Sequence, residues 1–419
     1  MISLIFLKRH LVGAALLGGL WLPAAAQTGL GLAQAQALAL ARSPQLVAQT
    51  AAASALRESA VAAGQLPDPV LRLGIDSLPI NGPDRLSLTR DFMTMRRIGL
   101  MQELPRAEKR QLRVERVDRD AQRLEAERAL TVASIRRETA LAWIDRWYAV
   151  ATLDLLRQQL EETQLQVQGA EVTFRSGRGQ PADIFGARAA LANLQDRMRQ
   201  SERQARSAGL VLARWVGPEA AGQPLAGAAG WREAPAAAGP SYGHPQLAVL
   251  AAQVQAAETE LRQAQAETRP DWTVEANYLQ RGPAYSNMVS IGVSIPLQLD
   301  RANRQDRVVA AKAAATAQAQ ALLDDAVLAL QAEVQVAQND WAAGRERIDQ
   351  LVASLLPAAR QRTEAALGTY RSGRGDLNTA LAARREEIDA RLQVLALEME
   401  TARQWVGLHY LTTSTGEQP

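Results

Sequence analysis

"TFRSGRG" occupies residues 173–179 and "TYRSGRG" occupies residues 369–375, six of the seven positions identical, in a chain of 419. The residues on either side of each copy read as helix, so each copy marks a reversal in something long. Gly177 and Gly179, like Gly373 and Gly375, permit the left-handed backbone values that end one helix and admit a sharp turn. A phosphate-cradling loop is the competing reading, but "SGRG" lacks the final G-K-[ST] of a P-loop.

Moving outward, the duplication is larger than seven residues. "SPQLVAQTAAASALRESAVAAGQLPDP" (43–69) is answered by "HPQLAVLAAQVQAAETELRQAQAETRPDW" (244–272). Each opens with x-Pro-Gln-Leu, runs as an Ala/Gln/Glu/Arg helix and stops at Pro-Asp, consistent with proline being tolerated at a helix start and ending one at its far side. A period of about 200 residues is a tandem duplication of a domain-sized unit, not a solenoid.

From Arg106 to about Thr173 only Gly169 interrupts a helical pattern, which at 1.5 Å per residue is on the order of 100 Å long. A second such pattern runs from about Ala302 to Thr369 and contains Gly344, Pro357 and Gly368; Pro357 is expected to kink it or to start a new segment. Leu153, Leu156, Leu160, Thr163, Val167, Ala170 and Phe174 alternate spacings of three and four, as do Leu356, Ala359, Thr363, Ala366 and Tyr370. These are heptad seams that become small or polar toward the turn. A shorter helix follows each turn, "PADIFGARAALANLQDRMRQSERQARSAGLVLARWVG" and "LNTALAARREEIDARLQVLALEMETARQWVG". With the helix before the strands, it is long enough to cover most of the long helix.

Between the helices the period changes from 3.6 to 2. Trp272, Val274, Ala276 and Tyr278 alternate with polar residues, as do Val289, Ile291, Val293, Ile295 and Leu297, and the first half repeats the plan with Leu71, Leu73, Ile75, Ile98 and Leu100. Each half therefore contributes two strands. A small antiparallel sheet on helices and a membrane barrel use the same alternation, and the strands alone leave both open.

Composition narrows the function. Residues 1–26 read as a secretory signal: Lys8, Arg9 and His10, then the apolar "LVGAALLGGLWL", then "AAA" before Gln27. No later stretch is apolar enough for a spanning helix. The absence of cysteine removes disulfides, thiolate chemistry and an N-terminal lipid anchor at Gln27. A net charge of +3 from 47 basic and 44 acidic residues implies no nucleic-acid partner. Outside the leader only His244 and His409 remain, no metal-ligand spacing occurs, and no nucleophile elbow is present, so no enzyme, metal or cofactor is expected. The pairs Asp324-Asp325 and Glu386-Glu387 lie on helices dense in arginine and are read as solvated faces; Arg374-Gly375-Asp376 spells an adhesion tripeptide that the first copy does not share.

The mature chain resembles the TolC-type outer-membrane efflux protein family over nearly its whole length. The residues that carry this are "LLPAARQRTEAALGTYRSGRGDLNTAL" (355–381), similar to the family's second helical tip, and "ALALARSPQLVA" (37–48), similar to its N-terminal helix signature. "LPDPVLRLGIDSLP" with "GLMQELPRAEKR" (99–110) resembles the branch that exports heavy-metal ions, although Glu108 stands where that branch often has glycine. The resemblance implies a mainly α protein with a small β part. Three copies would close a 12-stranded outer-membrane β-barrel continued by a periplasmic α-barrel. It also implies a passive exit duct in a Gram-negative outer membrane, contacting lipid and working with a periplasmic adaptor and an inner-membrane pump of the resistance-nodulation-division type. The alternatives are a duct for protein secretion and a non-conducting coiled-coil scaffold.

The expected organisation is a leader at 1–26, a first repeat at 27–216, a Gly/Pro/Ala-rich linker at 217–243, a second repeat at 244–411 and a tail at 412–419. The resemblance assigns Tyr370 and Asp183 to a periplasmic gate, with Arg374 and Asp376 as further candidates, because the family's usual acids fall here on Thr379 and Ala382. Phe174, Arg175, Ser176, Gly177, Arg178, Gly179, Arg371, Ser372, Gly373 and Gly375 are the expected tip turns and adaptor-docking residues.

Overall fold

The computed structural model describes residues 29–412 except 178, 228–229 and 234–243. The expected leader, Arg178, part of the linker and nearly all of the tail lie outside the described residues.

Each half opens with helices, crosses two strands, and returns as a long hairpin. The first contains α1 (Leu32–Ala41), α2 (Pro44–Ala63), β1 (Val70–Asp76), β2 (Met95–Leu104), α3 (Ala107–Arg175) and α4 (Pro181–Val216), followed by the single turn α5 (Pro218–Gly222). The second contains α6 (Pro245–Glu267), β3 (Trp272–Gln280), β4 (Met288–Ser294), α7 (Gln305–Gln350), α8 (Leu356–Arg371) and α9 (Leu377–Thr412). The repeated x-Pro-Gln-Leu is a helix start in both halves. Ser43 Oγ accepts from the Leu46 amide at 3.4 Å and His244 Nδ1 from the Gln246 amide at 3.3 Å, and each cap is followed by proline in the first helical turn.

The 69 residues of α3 form one uninterrupted helix, as a proline-free stretch of good helix formers allows. Its counterpart is divided where Pro357 falls. Proline offers no N–H to the carbonyl four residues back, and the chain responds with one wide π-helical turn, Leu351–Leu355, before continuing as α8. The proline starts a new segment without reversing the chain.

α2 and α4 both pack along α3, α6 lies between α3 and α7, and α9 covers α7 and α8 and reaches α3. The main core forms where the halves meet, from Trp143, Ile144 and Tyr148 of α3, Leu212 and Val216 of α4, Ile348 of α7 and Val406 of α9. The described part of the linker is tied to this core. The indole N–H groups of Trp143, Trp341 and Trp405 donate to the carbonyls of Leu30, Trp231 and Glu233, each at 2.9 Å. Leu30 in turn pairs with the chain at Pro224 and Ala226. A tryptophan N–H drawn into packing needs an acceptor, and here backbone carbonyls supply it.

The sheet is an antiparallel meander in the order β1-β2-β3-β4. It joins the helices through a charged neck. Lys109 on α3 is buried and reaches Asp271 at 2.8 Å and Glu267 at 3.0 Å, while the Arg106 amide donates to Asp271 at 3.1 Å. Burial pushes the Asp271 carboxyl up, but Lys109 and the Arg106 amide outweigh it and hold the group below its usual range. Glu108 pairs with Arg269 across the same neck at 2.8 Å.

Candidate functional site

The described parts of the two tip turns share one geometry. Gly177 and Gly373 have φ of 71° and 72°, the left-handed values that a helix-ending glycine supplies. Gly177 N–H donates to Phe174 O at 2.9 Å and Gly373 N–H to Tyr370 O at 3.0 Å; in the second copy the Arg374 amide closes the outer bond to Thr369 O at 3.1 Å. Ser176 and Ser372 hydroxyls donate to the carbonyls of Thr173 and Thr369, and each threonine donates four residues back. The later glycine of each pair has a different duty. A Cβ on Gly179 would lie 2.9 Å from the Phe174 amide nitrogen, and one on Gly375 would lie 3.0 Å from Thr369 Cγ2. The recurring motif is thus a turn specification: cap hydroxyls, one glycine for φ, one for close approach.

Both tips then open a helix with an acid, by different means. Asp183 is buried in the first turn of α4 and its Oδ2 accepts from the Gln180 amide at 3.1 Å. In the second copy the acid is Asp376, immediately before α9. Either placement sets negative charge against the positive end of a helix.

The structure brings the two tips together. Ala170 and Ala187 of the first hairpin and Leu377 of the second form a small buried cluster against which Val167, Ile184, Tyr370 and Leu381 pack. Tyr370 packs on this cluster, and Asp183 is the chain neighbour of Ile184, which also does; Asp183 is committed to its helix cap, and among the described residues no hydrogen bond joins it to Tyr370. Phe174, Arg175, Arg371, Ser372, Arg374, Gly375 and Asp376 are exposed at the ends of the hairpins, as are Thr379 and Ala382. Arg178 lies outside the described residues.

Behind the tips sits a charge network that sequence reading missed. Glu386 is solvated as expected, but Glu387 is buried. It takes Arg391 at 2.6 Å and Arg384 at 2.9 Å, and Arg384 also pairs with Glu162 of α3. Burial raises the Glu387 carboxyl, while the Thr363 hydroxyl and the two arginines more than offset it, so the group stays below its ordinary value. The signal was available: Ala380, Ala383, Glu387, Ala390, Val394, Leu397 and Thr401 alternate spacings of three and four, and all are buried. Glu387 occupies a seam position, which a local count of neighbouring arginines conceals. Asp324 and Asp325 are exposed.

At the opposite end the sheet has two unlike faces. Leu71, Leu100, Ala276 and Ile291 lie in register across the strands, as do Leu73, Ile98, Tyr278 and Val289. Leu73, Val289 and Ile291 are each at least 70% exposed in the single chain, so this face has no partner of its own. The other face carries Arg72 paired with Glu275 at 3.4 Å, Arg97 paired with Asp76 at 3.3 Å, and Asn277 bonded to Ser290. An apolar band on one face and ion pairs on the other suits a boundary between lipid and water. No described helix is long and apolar enough to cross a membrane. Among the described residues no group of three or more His, Cys, Asp or Glu is placed to hold a metal ion.

Residues 242–414 match the family model described as outer membrane efflux protein. No curated protein matches the sequence. The fold is shared with solved outer-membrane channels. The outer membrane protein VceC from Vibrio cholerae is 18% identical, with a TM-score of 0.73 over 92% of this chain and 96% of that one. The Campylobacter jejuni CmeC outer membrane channel is 13% identical, with a TM-score of 0.74 over 92% and 87%. The open state of the Neisseria gonorrhoeae MtrE outer membrane channel is 15% identical, with a TM-score of 0.70 over 91% and 88%.

Proposed function

We propose that this chain, an outer membrane efflux protein by its fold and by the family match of its second half, forms one third of a passive exit duct. Three copies would close a barrel of 12 strands in the outer membrane and continue it through the periplasm as a helical tunnel whose mouth is the ring of tip turns. The observation that carries the reading is the two-faced sheet at one end of hairpins on the order of 100 Å long. A four-stranded sheet with an exposed apolar face and two unpaired edges is not a stable end state in water. Closure into a barrel removes both edges and gives the apolar face to lipid.

The tips would dock a periplasmic adaptor and, through it, an inner-membrane pump of the resistance-nodulation-division type, which supplies the energy. The chain's own contribution is geometric: a mouth built from two copies of one turn per protomer, an internal charge network behind it, and a polar sheet face toward the lumen. Cargo is proposed to be heavy-metal cations, on the resemblance of residues 66–110. Growth of a deletion strain, with complementation, across metal salts and hydrophobic drugs tests this. Sensitivity confined to metals supports the cargo assignment, drug sensitivity alone removes it, and purified protein that gives no stepwise conductance in a planar bilayer removes the duct itself.

A further inference from the structure

At its end away from the helices, the apolar face of the sheet carries an arginine. Ile98 and Leu100 stand on that face, and Arg96, two residues before Ile98 on β2, stands on it too. The register sets Arg96 between Ile75 of β1 and Gln280 of β3. On the opposite face the arginines have acids, Arg72 with Glu275 and Arg97 with Asp76. Arg96 has no carboxylate partner among the described residues. One of its terminal nitrogens donates to the Arg281 carbonyl at 3.3 Å, and its Nε–H is shielded from water without an acceptor. Arg281, the first residue after β3, is placed alike. It donates to the Phe92 carbonyl, lies 4.8 Å over the Tyr285 ring, and has an Nε–H without an acceptor and no ion pair among the described residues.

A clamp between the β1–β2 and β3–β4 connections explains part of this, since Gly282 packs directly on the Thr89 carbonyl at the same corner. The clamp uses one terminal nitrogen of each guanidinium and leaves both charges without a counter-ion. Both residues are half-buried, so water solvates those charges only in part. The acids nearby are committed elsewhere. Asp76 holds Arg97, Asp84 lies 3.6 Å from Arg90, and Asp91 accepts from the amides of Met93 and Thr94 at 2.8 and 3.1 Å. Residues 76–97 and 280–288 together hold five arginines and three aspartates, so this end of the sheet is net positive.

The depth of the pair follows from two aromatic residues. Trp272 and Tyr278 share the apolar face of β3, six residues or roughly 20 Å apart. Trp272 stands at the end joined to the helices, and the Tyr278 hydroxyl accepts from Asn287 of the β3–β4 connection at 2.8 Å. Amphipathic rings at both ends of an apolar band suit the two borders of a hydrocarbon layer. Arg96 stands one row beyond Tyr278. With the helices in the periplasm, that row meets the headgroups of the outer leaflet. We propose that Arg96 and Arg281 bind a phosphate of a phosphorylated glycolipid in that leaflet. The stem of Arg96 lies along the apolar face and its guanidinium reaches the headgroup level. A phosphate supplies the missing counter-charge and accepts from two guanidinium groups at once. A zwitterionic headgroup brings its own cation and fits less well. A soluble phosphate lacks the acyl chains that would cover Leu73, Ile75 and Ile98 beside the site.

This rests on the duct reading, and the test separates the two. Full-length protein purified in detergent is mixed with diphosphorylated lipid A, and bound lipid is counted by native mass spectrometry. Binding is expected to be weaker by about tenfold or more in Arg96→Gln, partly kept in Arg96→Lys, and unchanged in Arg97→Gln on the opposite face. Fully dephosphorylated lipid A is expected to bind the parent as weakly as the diphosphorylated lipid binds Arg96→Gln, a comparison that requires no variant to fold. Equal binding of the two lipids, or parental binding by Arg96→Gln, overturns the site. Sodium phosphate that protects the parent from heat as well as the lipid does would make this a soluble-anion site and overturns the lipid assignment. Protein that conducts in a planar bilayer but fails these comparisons leaves the duct standing. Protein that neither assembles nor conducts removes the duct and this inference with it.

Discussion

The backbone at Gly179 folds back so closely onto the last turn of its own long helix that a Cβ there would lie 2.9 Å from the amide nitrogen of Phe174. The obstruction is backbone, so it cannot be relieved by a rotamer change. Gly177, two residues earlier, has nothing within 4 Å of the same construction and needs glycine only for its φ of 71°.

The two glycines therefore have different sensitivities. Gly177→Ala incurs only the left-handed strain, about 1–2 kcal/mol, whereas Gly179→Ala requires the turn itself to move. Hydrogen exchange of the peptide spanning the first tip is expected to accelerate modestly in Gly177→Ala and strongly in Gly179→Ala. Global melting should hardly change in either, because the tip is remote from the main core. Equal protection in both variants contradicts the separation of roles.

Glu387 pairs with both Arg384 and Arg391, and its side chain is only 3% exposed. Glu387→Gln leaves Arg391 without its carboxylate and Arg384 with Glu162 alone, and is expected to destabilise by about 1–3 kcal/mol. The pH dependence follows from the depressed carboxyl. Its contribution is fully present above the ordinary value of 4.5 and is lost as pH falls through the lower folded value. Thermal melts followed from about pH 3 to about pH 7 should show an acid limb in the parent that is shallower in Glu387→Gln.

On the sheet, Val293 and Ser294 are neighbours on opposite faces of β4. Val293→Arg is expected to destabilise insertion into lipid vesicles by up to about 2–4 kcal/mol, and Ser294→Arg by much less, since its side chain lies on the polar face. Urea titration of vesicle-folded protein reads both. Equal costs would mean that the apolar face is not toward lipid.

Tyr370 packs on the small cluster that joins the tips and Asp183 caps the helix that supplies Ile184 to it, and we propose that they help to hold the mouth closed. Tyr370→Phe with Asp183→Ala is expected to raise single-channel conductance. Loss of the helix cap alone costs about 1 kcal/mol, so the thermal melt of Asp183→Ala reads the structural part of its effect separately from conductance. A double variant with parental conductance would sink the gating role.

Trp341 and Trp405 donate their indole N–H groups to the linker carbonyls of Trp231 and Glu233. Replacing either by phenylalanine removes one hydrogen bond worth about 1 kcal/mol and frees the chain between the repeats. Limited proteolysis is expected to cut near residues 231–233 faster in both variants. The effect on melting should be larger for Trp341, which is buried, than for Trp405, which is not.

Much of this was legible in local pattern. The duplicated heptapeptide, the switch from period 3.6 to period 2, the long proline-free stretch and Pro357 each act within a few residues of themselves. Helix, strand, turn and a break at Pro357 could therefore be placed from the chain alone, while the coordinates decided that the break is a π-helical turn and a new segment. The glycine pair was recognised as a turn, although the separate duties of its members needed coordinates. The linker reads as a loose joint because Gly, Pro and Ala dominate it; the tryptophans that bind it come from helices 110 and 172 residues further along the chain.

Glu387 marks the limit. Its neighbours in sequence are arginines and another acid, which describes a wet helix face, and only packing against α3 and α8 removes it from water. Register along one helix is a local property, and so the seam position could have been counted. Which helices meet at that seam is set by the association of the two halves, where burial of Trp143, Ile348 and Val406 in one core decides the arrangement. The amino-acid order by itself determined the elements and their reversals, because backbone and periodicity effects are short-ranged. Only the tertiary structure decided which charges are buried, which faces remain without a partner, and which edges await another copy.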